Sequence, residues 1–157
     1  CKHYKMKEGR FLTSGGMGTM GYSLPAAIGA YFAVQEKCNT GKEEAGREVL
    51  AVMGDGAFQM SLMELATMRQ YGARVKLIVF HNGVLGLVRQ YQRTAYKDHF
   101  SMIDLTGNPD LSLLSGAYGL SYTSISNNLA VPERILEFLG KEENGILEVF
   151  VDANEVA

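Results

Sequence analysis

Two short apolar runs, residues 49–53 and 75–80, constrain the fold of this chain most strongly. The first is a continuous apolar run, which is typical of a strand buried on both faces of a sheet, and the second, in which Lys76 is the one charged residue, is predicted as a second buried strand. The residues between them follow a helical pattern that ends at Gly72, and Ser61 and Glu64 have the spacing of a capping box. A strand, a helix and a second strand in this order predict two neighbouring parallel strands joined by a helical crossover.

The rest of the chain continues this alternation. Helices are predicted over residues 23–35, 108–119 and 132–139, and strands over residues 121–126 and 146–151. The connection over residues 83–107 is long enough to predict a binding or lid role. We therefore expect an α/β fold, a three-layer sandwich whose mostly parallel sheet carries helices on both faces.

Composition bounds the class of protein. The 157 residues predict a single domain over 1–157, and the net charge of −2, from 15 basic and 17 acidic residues, argues against a nucleic-acid partner. No apolar run reaches the roughly 20 residues of a membrane helix, so no membrane association is expected. Cys1 and Cys38 form no disulfide framework, which predicts a reducing, cytoplasmic setting. Because the first residue is not Met, we expect a fragment of a longer polypeptide.

Polar residues stand at the end of each of the first two predicted strands. Asp55 lies between Gly54 and Gly56, and Asn82 follows 27 positions later. The carboxyl ends of neighbouring parallel strands meet at one edge of a sheet, so the Asp55 carboxylate and the Asn82 amide should lie side by side. Together with a backbone carbonyl just beyond Asn82, they are the hard oxygen ligands that Mg²⁺ prefers. The ion would bridge to a diphosphate that also accepts hydrogen bonds from the Gly56 and Ala57 N–H groups.

Each of these features is weak when it stands alone. A lone Gly-Asp-Gly is more often a turn than a metal site, and a single Asn at a strand end is usually a turn residue. The spacing between the two strands, together with a glycine cluster at residues 15–21, favours the site.

Three segments carry a resemblance to a known family. Residues 54–56 followed by Asn82 resemble the thiamine-diphosphate motif, which opens with GDG and closes with Asn. Residues 13–30, TSGGMGTMGYSLPAAIGA, and residues 85–92, LGLVRQYQ, resemble the corresponding segments of acetolactate synthases. The likeness extends from about Arg10 to Asp152 and implies the C-terminal cofactor-binding domain of such an enzyme.

The resemblance also implies roles for individual residues. Asp55, Asn82 and the Val84 carbonyl would be the metal ligands. Met20 would prop the cofactor into a bent shape, and the Gly18 carbonyl would accept a hydrogen bond from its pyrimidine amino group. The implied cofactor-binding set is Gly18, Met20, Gly54, Asp55, Gly56, Ala57, Asn82, Val84, Gly86 and Leu87. The implied approach for substrate is lined by Leu87, Val88 and Tyr91.

The implied activity is thiamine-diphosphate-dependent decarboxylation of pyruvate and its carboligation with a second 2-oxo acid, as in branched-chain amino acid biosynthesis. The resemblance implies a homodimer or tetramer formed through the cofactor site, and a small regulatory subunit. FAD is a candidate cofactor in the longer parent only. No glutamate here matches the one that activates the cofactor in the family, so no catalytic residue is assigned and the isolated domain is expected to be inactive.

The match departs from the family at three positions. Tyr91 stands where many biosynthetic acetolactate synthases have Trp, Leu87 where Met is common, and His81 where another Asn is frequent. His81 is expected to point away from the metal. Pyruvate oxidase, 2-oxo acid decarboxylase and glyoxylate carboligase remain alternatives, because they use the same metal motif. Outside this family, one alternative is a non-catalytic phosphate or nucleotide-binding module, for which the spacing of Gly16, Gly18 and Gly21 is the evidence. Another is a purely structural domain, for which the apolar content is the only evidence.

Overall fold

A computed structural model describes residues 5, 7–41 and 47–154 of the chain. Cys1 lies outside these residues. The elements in chain order are α1 (Ser23–Asn39), β1 (Leu50–Gly54), α2 (Asp55–Ser61), α3 (Glu64–Tyr71), β2 (Lys76–His81), α4 (Gly86–Tyr96), α5 (Leu111–Tyr118), β3 (Ser121–Ile125), α6 (Val131–Gly140) and β4 (Gly145–Phe150). None of the helices in this described part of the chain is long and apolar enough to cross a membrane.

The four strands form one parallel sheet with the order β1-β2-β4-β3. β1 and β2 are neighbours, with Gly54 in register with Phe80, so the two strand ends that carry Asp55 and Asn82 lie at the same edge. The predicted α/β class and parallel sheet are confirmed.

Helices cover both faces of this sheet. One core cluster joins α1, α2, α3 and α5 to the strands through residues such as Leu24, Phe58, Leu65 and Leu77. The other joins α6 to β3 and β4, where Phe138 packs with Ile125 and Leu147. Leu77 and Ile78 belong to different clusters, as expected for successive side chains of a strand pointing to opposite faces. The three-layer arrangement is therefore confirmed for the described residues.

The expectation that the first strand is buried on both faces is wrong. β1 is an edge strand in which burial alternates, and Leu50 and Val52 are 44% and 48% exposed. The cause is the position of α6, which packs against β3 and β4. Apolar sequence alone does not distinguish an interior strand from an edge strand whose outer face is uncovered.

The capping box at Ser61 and Glu64 is also wrong. The helix after β1 begins at Asp55 and ends at Ser61, and α3 then starts at Glu64, preceded by Met63 without a side-chain cap. The Ser61 hydroxyl instead donates to the Ala57 carbonyl one turn earlier, at 3.4 Å. The predicted stop at Gly72 is confirmed, because Gly72 adopts the left-handed conformation with φ +62°.

Candidate cofactor site

Asp55 begins α2 directly after β1 and is buried, with 5% of its surface exposed. Its Oδ1 accepts a hydrogen bond from its neighbour Gly56 N at 2.9 Å, and its Oδ2 accepts one from Gly83 N at 2.8 Å. Gly83 has φ +68°, whereas Gly54 is in an ordinary extended conformation. The conformation that favours glycine therefore falls at the end of β2, where the backbone turns to present its N–H to the aspartate.

Asn82 lies next to that contact. Its Oδ1 accepts a hydrogen bond from Val84 N at 3.1 Å, and a Cβ built on Gly86 would lie 3.2 Å from its Nδ2. Asp55 Oδ2 binds the N–H of Gly83, the residue immediately after Asn82, so the ends of β1 and β2 are in contact.

The loop that contains these residues is held by backbone hydrogen bonds to residues 103–105. Leu85 N donates to the Ile103 carbonyl, and Leu105 N donates to the Gly83 carbonyl, both at 2.8 Å. Part of the long connection is thus a fixed loop, and its helical part is α4.

Asn108, which the sequence predicts only as the first residue of a helix, contacts the Asp55 carboxylate. Its Nδ2 donates to Asp55 Oδ2 at 2.8 Å and approaches His81 Nε2 at 3.1 Å, while its Oδ1 accepts a hydrogen bond from Gln59 Nε2. Asp110, two residues later, is the N-cap of α5, with its side chain accepting from Ser112 N and Leu113 N. The local sequence indicates the cap, but only the tertiary fold brings Asn108 to the carboxylate.

His81, which was expected only to point away from the metal, lies between the Asp55 carboxylate and the buried Glu148. Its Nε2 lies 3.9 Å from Asp55 Oδ2, and its ring stacks on Phe150 with centroids 5.0 Å apart. His81 Nδ1 lies 2.5 Å from Oε1 of Glu148, a carboxylate only 3% exposed on β4.

Tyr122 completes this buried polar chain. Its hydroxyl donates to Glu148 Oε2 at 2.5 Å. Burial and the hydrogen bond to Glu148 raise the pKa of Tyr122 to about 12, because the phenolate would lie in a desolvated site beside a carboxylate. A charged residue within an otherwise apolar strand indicates a buried group that needs a polar partner. Glu148 is the one charged residue in the segment 146–151, so its burial beside a partner could have been predicted from the sequence.

Apolar side chains surround Gly56. A Cβ added there would lie 2.9 Å from Met20 Cε and 3.0 Å from Leu85 Cδ2 and from Leu105 Cδ1. Of the predicted cofactor residues, Met20 and Gly56 are therefore brought together. The absence of a side chain at Gly56 allows these three side chains to approach the first turn of α2 closely, and any larger residue there would force them to shift.

Other predicted residues do not join this group. Gly18 lies in an exposed turn with φ +61°, held by a 2.7 Å hydrogen bond from its N–H to the Ser14 carbonyl. Leu87, Val88 and Tyr91 lie on α4 and are 72%, 43% and 60% exposed. α4 contains no buried residue. These side chains line an open surface beside the loop at Asn82.

The available donors fit a cation held by oxygen ligands, namely one carboxylate, one side-chain amide and one backbone carbonyl. In residues 5, 7–41 and 47–154, no three His, Cys, Asp or Glu side chains converge as a metal site. Asp55 is the buried carboxylate at this edge, and Asn82 and the Val84 carbonyl are the neutral oxygen donors nearby in sequence. A small Mg²⁺ ion that keeps diphosphate oxygens and water as ligands is compatible with so few protein oxygens.

Comparison with known families shows which family this chain belongs to. The family model described as the C-terminal TPP binding domain of thiamine pyrophosphate enzymes matches residues 1–149, and the chain therefore belongs to this family. Among individual proteins, it is similar to acetolactate synthases. It is 38% identical to one from Arthrospira platensis over 93% of this chain and 24% of the relative. It is 34% identical to the large subunit from Lactococcus lactis over 99% of this chain and 25% of the relative.

Solved structures give the same fold. Benzoylformate decarboxylase from Polynucleobacter necessarius superposes with a TM-score of 0.72 at 26% identity, over 90% of this chain and 25% of that one. The chain spans about a quarter of the length of the curated relatives named above. The family resemblance identified from residues 13–30, from residues 54–56 with Asn82, and from residues 85–92 is confirmed.

The glycine cluster does not have the context of a dinucleotide-binding motif. Such a motif joins a strand to the helix that follows it. Gly16, Gly18 and Gly21 precede α1, but residues 7–22, all of which are described, contain no strand. The nucleotide-module alternative therefore loses its main support.

Proposed function

We propose that this chain is the thiamine-diphosphate- and Mg²⁺-binding C-terminal domain of an acetolactate-synthase-type enzyme, a single domain within a longer polypeptide. The observation that carries the proposal is the contact between Asp55 Oδ2 and the Gly83 N–H, which joins the ends of β1 and β2. The likeness to acetolactate synthases over nearly the whole chain supports the choice of reaction.

In this proposal Asp55, Asn82 and the Val84 carbonyl hold Mg²⁺. The carboxylate supplies the charge, and the two neutral oxygens complete the protein's share of the ligands. The tight loop after β2 fixes the relative positions of these groups, because Gly83 N and Val84 N bind the Asp55 and Asn82 side chains respectively.

The same edge binds the rest of the cofactor. The backbones of Gly54, Gly56, Ala57 and Gly86 would contact the cofactor, and Met20, whose Cε packs close to Gly56, would support its bent shape. The Gly18 carbonyl would accept a hydrogen bond from the pyrimidine amino group. The Gly56 N–H donates to Asp55 in this structure, so it must exchange or share that bond when it meets the diphosphate.

Bound thiamine diphosphate supplies the carbanion chemistry for decarboxylation of a 2-oxo acid and carboligation. The role of this chain is to hold the cofactor, while Leu87, Val88 and Tyr91 present an apolar approach to the reacting carbon. These three side chains are exposed here, which fits an approach that a second subunit closes. We therefore include a homodimer or tetramer, formed across the cofactor site, in the proposal.

The substrates in this proposal are pyruvate and a second 2-oxo acid, in branched-chain amino acid biosynthesis. A small regulatory subunit, and FAD in the longer polypeptide, are further expectations from the family. The cytoplasmic setting remains a prediction from the cysteine content.

Calorimetric titration of the complete polypeptide with thiamine diphosphate and Mg²⁺, against NAD and ATP, tests the cofactor assignment. The proposal predicts binding of thiamine diphosphate that requires the metal. Selective binding of either nucleotide would contradict it.

The product formed from pyruvate by the complete polypeptide tests the reaction. Acetolactate is the expected product, and a different product would favour the alternatives of the same family, including a 2-oxo acid decarboxylase of the kind found among the solved structures. The purified 157-residue chain alone is expected to form no acetolactate, because it contains no glutamate assigned to cofactor activation. Acetolactate formation by that chain would refute this part of the proposal.

A further inference from the structure

We propose that Asn108 is a positioning residue for the Asp55 carboxylate. The Asn108 amide is in turn held by His81, and His81 is held by Glu148. The inference rests on the proposed function, because it concerns how the cation ligand is oriented.

The first step is the geometry around the Asn108 amide. Its Nδ2 has two hydrogens, and it lies within hydrogen-bond distance of two acceptors, Asp55 Oδ2 at 2.8 Å and His81 Nε2 at 3.1 Å. Its Oδ1 accepts from Gln59 Nε2. The opposite amide orientation would place an oxygen against the Asp55 carboxylate and a donor against another donor, so the contacts select one orientation.

The second step concerns the Asp55 carboxylate. An ionised carboxylate has about four lone-pair sites. Three donors already occupy it: Gly56 N on Oδ1, and Gly83 N and the Asn108 amide on Oδ2. About one site remains for a further partner, which matches a single bond to a cation. Since two of the donors are backbone groups, Asn108 is the side chain that fixes the carboxylate.

The third step is the support behind Asn108. His81 Nε2 accepts from Asn108, so its proton resides on Nδ1 and is donated to Glu148 Oε1 at 2.5 Å. The second Glu148 oxygen accepts from Tyr122 at 2.5 Å. A small pocket lined by Asp55, His81, Asn108 and their neighbours has no room for a water molecule. The amide is therefore held by direct side-chain contacts.

Outer partners of metal ligands typically contribute 10- to 100-fold to metal affinity, because they fix the orientation and the basicity of the ligand. The test of this inference is Mn²⁺ binding to the complete polypeptide, followed by electron paramagnetic resonance at saturating thiamine diphosphate. Asn108→Ala should weaken metal binding by about 10- to 100-fold. Asn108→Asp, which keeps the shape but places a carboxylate beside Asp55, should weaken it at least as much.

Two further variants separate positioning from a general loss of structure. Gln59→Ala removes only the donor that orients the Asn108 amide, so it should give a smaller loss in the same direction. Asn128→Asp adds the same charge at an exposed position and should leave the metal affinity unchanged. The melting temperature of each metal-free variant is recorded in parallel. A structural role alone would lower that temperature without changing the metal affinity of the folded protein.

Wild-type affinity in folded Asn108→Ala, within about twofold, would overturn the positioning role while leaving the proposed function intact. If the wild-type protein binds neither Mn²⁺ nor thiamine diphosphate, the proposed function fails and this inference fails with it.

Discussion

The hydroxyl of Tyr122 on β3 donates to Oε2 of Glu148 on β4 at 2.5 Å, and the other oxygen of that carboxylate contacts His81. Glu148 is nearly fully buried in an interior strand. Burial of a carboxylate is costly unless it is hydrogen-bonded, and these two partners satisfy both oxygens. The end of β2 that carries His81 and Asn82 is thereby connected to the interior of the sheet.

Alkaline titration tests this relationship. The pKa of Tyr122 is raised to about 12 from an ordinary 10.0, so the folded protein favours the neutral phenol. The resulting stability is fully present below pH 10 and is lost as the pH rises towards 12. We expect Tyr122→Phe to remove this part of the pH dependence of unfolding, and Tyr71→Phe, at an exposed position, to retain it. Chemical denaturation at a series of alkaline pH values provides the measurement, and the same pH dependence of the free energy of unfolding in wild type and Tyr122→Phe would contradict the account.

The turn after β2 gives a second prediction. Gly83 has φ +68°, and its N–H donates to Asp55. Gly83→Ala should lower the free energy of unfolding by about 1–2 kcal/mol, because a Cβ strains the left-handed conformation. Chemical denaturation measures the effect. Gly107→Ala is the matched control, since Gly107 lacks a positive φ and a Cβ there would meet nothing within 4 Å. Equal free energies of unfolding for the two variants would contradict the left-handed conformation of Gly83.

The packing of α6 against the sheet gives a third prediction. Phe138 is 1% exposed and packs with Ile125 and Leu147 on the face that α6 covers. Phe138→Ala should destabilise the fold by about 3–5 kcal/mol, through lost burial and the cavity left behind. Leu136→Ala in the same helix is the control, because Leu136 is 68% exposed. A loss at Phe138 no larger than at Leu136, in urea unfolding, would show that this second core is misplaced.

The order of the elements could be predicted from sequence because local signals agree with the fold. Asp110 caps α5, and Gly72 and Gly119 end helices in the left-handed conformation. The position of Asp55 and Asn82 at neighbouring strand ends also followed from their spacing, since one helix between two parallel strands leaves little choice. Their metal-binding role stays a prediction.

What could not be predicted depends on tertiary contacts. The exposed side of β1 reflects where α6 packs, which the apolar run at residues 49–53 does not encode. Asn108 reaches Asp55 from 53 residues away in the chain. The contacts of His81 could not be predicted, because its two partners, Asn108 and Glu148, lie far from it in the sequence.

The central claim is that Asp55 and Asn82 hold the cation that tethers the cofactor diphosphate. The most direct measurement is calorimetric titration of the complete polypeptide with thiamine diphosphate, with Mg²⁺ or with a chelator, for wild type, Asn82→Ala and Asp55→Asn. We predict metal-dependent binding in wild type and a loss of about 100-fold or more in Asp55→Asn, the order expected when one partner of a buried charge pair is removed. Asn82→Ala should also weaken binding, and the exposed control Asp152→Asn should leave it unchanged. Equal wild-type affinity with Mg²⁺ and with chelator, or undiminished binding in Asp55→Asn, would contradict the account.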